Sequence, residues 1–322
     1  MSDRGPCIAR AAYAFPAESR SVRELEAAGL LQSDATTLEH FGFAQVHVAT
    51  SETPYELALR AASAVLAEHG AEAESVDLLL YCGTPALAFA ARGAPDDPAG
   101  SLATMDRFRY PATRLQYDLG MTRASVMALD QLACTTLLSA ARLARALCLS
   151  EGLDRVLCVS AEFVPSRCGR EAIYNCTSDA ACAVLVEREG TRNRIVGSVQ
   201  VTKGYYWECD ERREEIVASY FPTARYVIAE TVRQAGWSAG DVDWVIPHNV
   251  SARSWRILWG LLGFPAARLW SCNIARDGHT LAGDNFINLR DALDSGAVHQ
   301  GDRLILFSYG YGAHWTALAL EA

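Results

Sequence analysis

The 322-residue sequence contains no Cys-x-x-Cys pair, although it has ten cysteines. That spacing marks zinc ribbons and redox dithiols, so neither is expected, and no metal site is read from the chain. No apolar run approaches the length that crosses a bilayer, so no membrane span is expected. The opening residues Met1-Ser2-Asp3-Arg4-Gly5-Pro6 lack the apolar core of a signal peptide. A cytoplasmic setting follows as the expectation, with the cysteines reduced and most of them packed as small apolar residues. Basic patches are missing too. The net charge is -9, which argues against neutralising nucleic-acid phosphates. What is present is ordinary charge with 50% apolar residues, enough for one large core or two medium ones.

Continuous apolar runs at 76–82, 155–160, 182–186, 242–246 and 303–308 suit strands covered on both faces. Helical patterns over 56–69, 135–150 and 223–235 fill the gaps, which gives an α/β fold with layered helices. The two halves also repeat each other. Gly70 precedes Asp77 by seven residues, as Gly236 precedes Asp243, and each Asp opens an apolar run. Asp154-Arg155 leads four apolar residues into Ser160, as Asp302-Arg303 leads into Ser308. Asp118-Leu119-Gly120 likewise matches Leu261-Leu262-Gly263. These anchors predict a duplicated unit with halves 1–175 and 176–322. Counting back twenty residues from each Asp-Arg pair reaches Cys134 in one half and Ala282 in the other, so the segment 279–285 is expected opposite the cysteine. Residues 91–100 read as the clearest loop, with 100–113 also irregular. Trp255 and Trp259 share a helix face, where core packing is the plainer account.

Four segments carry the chemistry. Cys134 stands before an almost wholly apolar helix, at the positive end of its dipole, where backbone N–H groups can hold an oxyanion. An inert core cysteine is the alternative. His248 closes an apolar strand after Pro247, the end of a strand where α/β sheets bind ligands; a histidine capping the next helix is its alternative. The stretch from Asn273 to Asn288 is dense in polar groups. His279, Asp284, Asn285 and Asn288 need partners, Asp284 or Asn285 as an N-cap or one of the set as an orienting group for His248. Gly310 and Gly312, in Tyr309-Gly310-Tyr311-Gly312-Ala313-His314-Trp315, allow close approach of backbone to a ligand, or simply a hairpin turn into a last strand at 316–320.

On these residues the chain resembles the thiolase superfamily, in particular ketoacyl-ACP synthase III and its acyltransferase-like relatives. Cys134 and Pro247-His248 match the cysteine and the Pro-His motif of that family. The resemblance implies a duplicated five-layer α-β-α-β-α fold. The family's Gly-Asn-Thr falls on Gly278-His279-Thr280 and its Gly-Asp-Gly-Ala turn on Ser178-Asp179-Ala180-Ala181, and both depart from the family pattern. It further implies an oxyanion hole of the Cys134 and Gly310 N–H groups. In condensing enzymes the Asn helps stabilise the enolate left by malonyl decarboxylation. With His279 in its place and Asp284 five residues on, Cys134, His248 and Asp284 (or His279) read as nucleophile, base and orienter of an acyltransferase. It would move an acyl group from acyl-ACP or acyl-CoA, through a Cys thioester, to an O, N or S nucleophile in secondary-metabolite, polyketide-type biosynthesis. A decarboxylative synthase and a non-catalytic partner subunit are the alternatives. The implied substrate is phosphopantetheine-linked, with no bound cofactor, the partners are a carrier protein or CoA and a small acceptor, and the assembly is a homodimer. Arg109, Arg114, Arg253 and Arg256 are either contacts for the phosphopantetheine phosphate or solvated surface charge.

Overall fold

The computed structural model describes residues 4–83, 110–165, 168–172, 175–264 and 268–322. The loop read at 91–100 and Arg109 lie outside them. Of the stretch read as irregular over 100–113, the described part begins a helix at Pro111.

The strands are β1 (Gly5–Ala14), β2 (Glu18–Ser21), β3 (Gln45–Val48), β4 (Leu78–Cys82), β5 (Ser125–Leu129), β6 (Arg155–Glu162), β7 (Ala180–Gly190), β8 (Arg194–Thr202), β9 (Trp244–Pro247), β10 (Arg303–Gly310) and β11 (His314–Glu321). The α-helices are α1 (Val22–Ala27), α2 (Ala35–His40), α3 (Pro54–His69), α4 (Pro111–Asp118), α5 (Thr136–Ser150), α6 (Arg213–Gln234), α7 (Ala252–Leu262), α8 (Asn273–Asp277) and α9 (Asp284–Asp294). Local signals set several ends. In α3, Thr53 and Glu56 form a capping box around Pro54, and Gly70 closes the helix at φ 73°.

The duplication is visible strand by strand. The first half runs β5-β4-β6-β7-β1, with β4 parallel to β5 and β6, and β7 antiparallel to β6 and β1. In the second half β9 is parallel to β10, and β11 is antiparallel to β10 and β8. That is the same order without one edge strand, whose place is marked by a single parallel bridge between Val245 and Leu269. One residue pair, Cys7 with Arg194, joins the halves. The repeated Asp residues have a repeated job. The Asp77 carboxylate accepts from the N–H groups of Asp154 and Arg155 at 2.7 and 3.0 Å, and Asp243 accepts from Arg303 N–H at 2.9 Å. Each Asp thus pins the start of one parallel strand to the next. β7 pairs with β1 and β6 and completes the first sheet at Gly190.

Five layers result. Leu57, Ala61 and Val65 of α3 and Leu115 of α4 cover the outer face of the first sheet against Leu79, Leu157 and Ala183. Between the sheets, Leu137, Leu138, Ala141 and Ala144 of α5 meet Phe286, Ile287 and Leu289 of α9. Val227 and Ile228 of α6 with Trp255 and Trp259 of α7 cover the second sheet at Val245, Ile305 and Ala317. So the two tryptophans pack in a core, as helical spacing suggested. The central helix α5 is apolar over most of its circumference because it is buried between the sheets, and Arg142 and Arg145 keep its polar residues to one side. No helix among the described residues is long and apolar enough to cross a membrane.

Candidate active site

Cys134 sits in a 3-10 turn, Ala133–Thr135, that feeds α5. The backbone there is strained: Gln131 and Ala133, both non-glycine, take φ of 63° and 46°. The turn is held from the second half. Ser308 Oγ donates to the Cys134 carbonyl at 3.0 Å. Gly310 packs directly on the turn, where a Cβ would lie 2.6 Å from Leu132 O and 3.0 Å from Cys134 N. Only glycine permits that approach. The symmetry-related turn, Leu281–Gly283, feeds α9 in the same way, with Leu281 at φ 56°. The two turns pack against each other, so 279–285 does lie opposite Cys134.

His279 is the side chain that reaches the sulfur. Its Nε2 lies 3.2 Å from Cys134 Sγ, and its Nδ1 lies 2.6 Å from Asp284 Oδ2. Its backbone is gripped on both sides, N–H to Cys176 O at 2.8 Å and C=O from Ser178 N–H at 2.9 Å. Gly278 makes the fit possible at φ 63°, since a Cβ would come 2.9 Å from Cys176 O and from Val46 Cγ1. The turn at Ser178-Asp179-Ala180-Ala181 is itself braced by a buried ion pair. Asp179 Oδ2 meets Arg170 Nη2 at 2.8 Å, and the carboxylate also accepts from the N–H groups of Ala49 and Val164, each at 2.7 Å.

Asp284 is 0% exposed and accepts four hydrogen bonds. Thr280 supplies its N–H and Oγ1 to Oδ1, each at 2.6 Å; Asn249 N–H and His279 Nδ1 reach Oδ2, also at 2.6 Å. Burial alone would raise this carboxyl, but His279 and the donors hold it below the ordinary range. Burial equally opposes charge on His279. The carboxylate beside it, and then the sulfur, outweigh burial and lift the imidazole well above its usual value. Carboxylate, imidazolium and sulfur therefore stand in line in a dry site.

His248 behaves differently. It closes β9, is 0% exposed, and packs edge-on against Trp255 and Phe307 with ring centroids 5.6 and 5.7 Å away. The His279 ring is 6.3 Å off. Neither ring nitrogen of His248 has a hydrogen-bond partner among the described residues. Burial, and then the charge on His279, push it down to about 3, so it is neutral near pH 7. Asp284, which the sequence reading offered with His279 as the orienter of His248, is hydrogen-bonded to His279. Asn249 N–H donates to the same Asp284 oxygen that meets His279 Nδ1. Neither Asp284 nor Asn285 is a side-chain N-cap, for the cap position is Gly283. Asn285 donates to Ile246 O and Phe307 O at 3.0 and 2.9 Å, and Asn288 to Pro247 O at 2.8 Å, so both tie strand ends together. Asn249, Thr280 and Ser308 escaped the sequence reading as site residues. The only signal was adjacency to His248 and His279 for the first two, and the Ser160/Ser308 repeat for the third. Arg114 pairs with Asp118 at 3.3 Å and covers Tyr55, while Arg253 and Arg256 are exposed on α7. Among the described residues no group of three or more His, Cys, Asp or Glu side chains is placed to hold a metal.

A duplicated five-layer fold with a cysteine at the start of a central helix is the thiolase fold. Residues 232–322 match the family described as 3-oxoacyl-(acyl-carrier-protein) synthase III C terminal. The beta-ketoacyl-(acyl-carrier-protein) synthase III of Aquifex aeolicus is 25% identical over 302 residues, covering 90% of this chain and 91% of that one. A crystal structure of 3-oxoacyl-(acyl-carrier-protein) synthase III from Aquifex aeolicus superposes with TM-score 0.81 at 22% identity, over 99% of this chain and 100% of that one. ChlB3, described as an acyltransferase, superposes with TM-score 0.83 at 20% identity, over 99% and 98%. Along most of its length the chain is similar to ketoacyl-ACP synthase III enzymes, and its C-terminal part matches their family model.

Proposed function

We propose that this protein is an acyltransferase that takes an acyl group from acyl-ACP or acyl-CoA onto Cys134 and passes it to an O, N or S nucleophile. One observation carries the reading: His279, at the position where the family resemblance implies an asparagine, touches the nucleophilic sulfur and is backed by a carboxylate. That is a nucleophile, a proton carrier and an orienter in contact order.

The pair reacts as Cys134 thiolate and His279 imidazolium. The sulfur attacks the thioester carbonyl, forming the new C–S bond, and the oxyanion is held by the N–H groups of Cys134 and Gly310. Collapse breaks the bond to the carrier sulfur, which leaves with the proton from His279 Nε2. The acceptor then attacks the Cys134 thioester while the now neutral His279 takes its proton. The second collapse expels Cys134 thiolate and restores the starting pair. Asp284 stays ionised throughout and fixes the tautomer. Proton transfer thus belongs to His279 rather than to His248, to which the sequence reading gave it. His248, neutral and buried, is suited to donate one N–H to the carbonyl oxygen of the acyl-enzyme. These steps call for no metal or redox group. A homodimer acting in specialised, polyketide-type metabolism belongs to this reading, and the acyltransferase description of ChlB3 supports the transfer step.

Decarboxylative condensation is the second reading. The neutral, unpaired His248 favours it, since an enolate needs such a donor, with His279 as the second. Intact-protein mass spectrometry with a panel of acyl-CoA and acyl-ACP donors, malonyl included, separates the two. Transfer predicts an acyl adduct on Cys134, with malonyl kept whole if it loads. Loss of carbon dioxide with a new carbon–carbon product would establish condensation. A Cys134→Ala protein that still transfers acyl groups would end both readings.

A further inference from the structure

The backbone that carries His279 to the sulfur is held at three successive carbonyls. The Asp277 carbonyl accepts from Ser178 Oγ, the Gly278 carbonyl from Asn249 Nδ2 at 2.9 Å, and the His279 carbonyl from Ser178 N–H at 2.9 Å. Ser178 thus supplies two of the three donors. Its side chain is fully buried, and Oγ also accepts from His47 N–H of β3 at 2.9 Å. One hydroxyl therefore bridges β3 and the end of α8.

Asp277 is the last residue of α8, so its carbonyl has no partner within that helix. The residue is buried, and a buried carbonyl left without a donor is costly. Gly278 follows at φ 63° and ψ -158°, a conformation essentially confined to glycine. The Asp277 carbonyl and the Gly278 N–H share one rigid peptide plane, so the hydroxyl that fixes the first fixes the entry to the turn. It also packs on the turn directly, since a Cβ on Gly278 would lie 3.1 Å from Ser178 Oγ. One residue on, His279 Nε2 stands 3.2 Å from Cys134 Sγ. Ser178 and His279 are both departures, for the family resemblance implies a glycine at the first position and an asparagine at the second. Glycine would supply the N–H and not the hydroxyl, so the added hydrogen bond accompanies the added imidazole.

We infer that Ser178 is a positioning residue for acyl transfer: its hydroxyl sets the peptide between Asp277 and Gly278 so that the His279 imidazole meets the Cys134 sulfur. The inference rests on the role of His279 in the proposed transfer and deepens it.

The test is a double-mutant cycle on the rate of Cys134 acylation by phenyl thioacetate, a small activated thioester, read by intact mass and peptide mapping. Ser178→Ala should slow acylation about tenfold, as a misplaced proton carrier does. In the His279→Asn protein the same change should alter the rate by less than about twofold, because the group it positions is gone. The acid limb of the pH–rate profile should move to higher pH in Ser178→Ala, where the imidazolium no longer meets the sulfur, and stay put when Ser178→Ala is added to His279→Asn. Circular dichroism and melting check the fold, and Ser178→Gly carries the same test should the alanine protein not fold. Equal losses on the two backgrounds, or an unchanged rate in Ser178→Ala, would overturn the inference while leaving acyl transfer intact. An unchanged rate in His279→Asn would remove the role on which it rests, with Cys134 still acylated. Failure of the natively folded, unaltered protein to acylate at Cys134 would overturn the transfer reading and this inference with it.

Discussion

Ahead of Cys134, Ala133 takes φ 46°; ahead of Ala282, Leu281 takes φ 56°, and each 3-10 turn then opens a helix of the central layer. The backbone solution is shared and the chemistry is not. The first turn keeps a thiol. The second has an alanine in its place, and its flanks supply His279 and Asp284. A similar divergence holds at the strand ends. Five residues after Asp243 stands His248, and five after Asp77 stands Cys82. Cys82 is 0% exposed and burial pushes its thiol far up, so it is an inert core residue. A duplicated fold brings two turns together at its centre, and one site becomes possible when each turn specialises.

The largest expected effect separates the turns outright. Cys134→Ala should remove the acyl adduct and lower transfer by about 10⁴-fold or more. Adding Ala282→Cys should not restore it, because His279 and Asp284 then sit beside the new thiol in sequence rather than across from it. Recovered adduct at residue 282 would break the comparison.

Asp284→Asn should cost about 10³- to 10⁴-fold in transfer, through the wrong His279 tautomer. It should also cost about 3 kcal/mol in stability, because a buried charge partner is lost. Asp284 titrates below its unfolded value, so the stability it adds is present above the ordinary carboxylate range and is lost as pH falls through the folded value. Urea unfolding at a series of acid pH values should show that limb in the unaltered protein and not in the variant.

The two histidines have opposite titrations. His248 falls from an ordinary 6.5 to about 3 in the folded state, so the unfolded chain binds its proton first. Stability should be full above about pH 6.5 and decline below it at up to about 1.4 kcal/mol per pH unit. His248→Asn should flatten that slope between pH 4 and 6 in the same unfolding experiment, and an unchanged slope would count against a neutral His248.

The smallest contrast is between repeated serines. Ser308→Ala removes the hydrogen bond to the Cys134 carbonyl and should cost about 1 kcal/mol. Its counterpart Ser160 is buried with no partner among the described residues, so Ser160→Ala should be close to neutral. Calorimetric melting of both variants checks this, and equal losses would mean the two halves use their serines alike.

Much of the fold was readable because repeated residues carry repeated tasks. The Gly70/Asp77 and Gly236/Asp243 spacings mark a helix end and a strand start, and those positions were found without coordinates. Strands with one wet face were not. β5 is largely exposed and β8 alternates, so neither shows an apolar run. β1 escaped because alanine and arginine fill much of it. Helix α6 starts ten residues earlier than read, at Arg213, and continues through Pro222 because its buried face is set by tertiary packing. In the site, residue types were legible and partnerships were not. Cys134, His248, His279 and Asp284 all stood out, but which histidine meets the sulfur depends on Asn249 N–H and on the grip of Cys176 and Ser178 on His279, contacts between distant parts of the chain.

The central claim is that His279, not His248, carries the proton. Single-turnover transfer from pre-acylated Cys134 to a simple amine, compared between His279→Asn and His248→Asn proteins, tests it most directly. The account predicts that His279→Asn loses at least about a hundredfold in rate and His248→Asn distinctly less. The reverse order would assign the base to His248 and contradict the account.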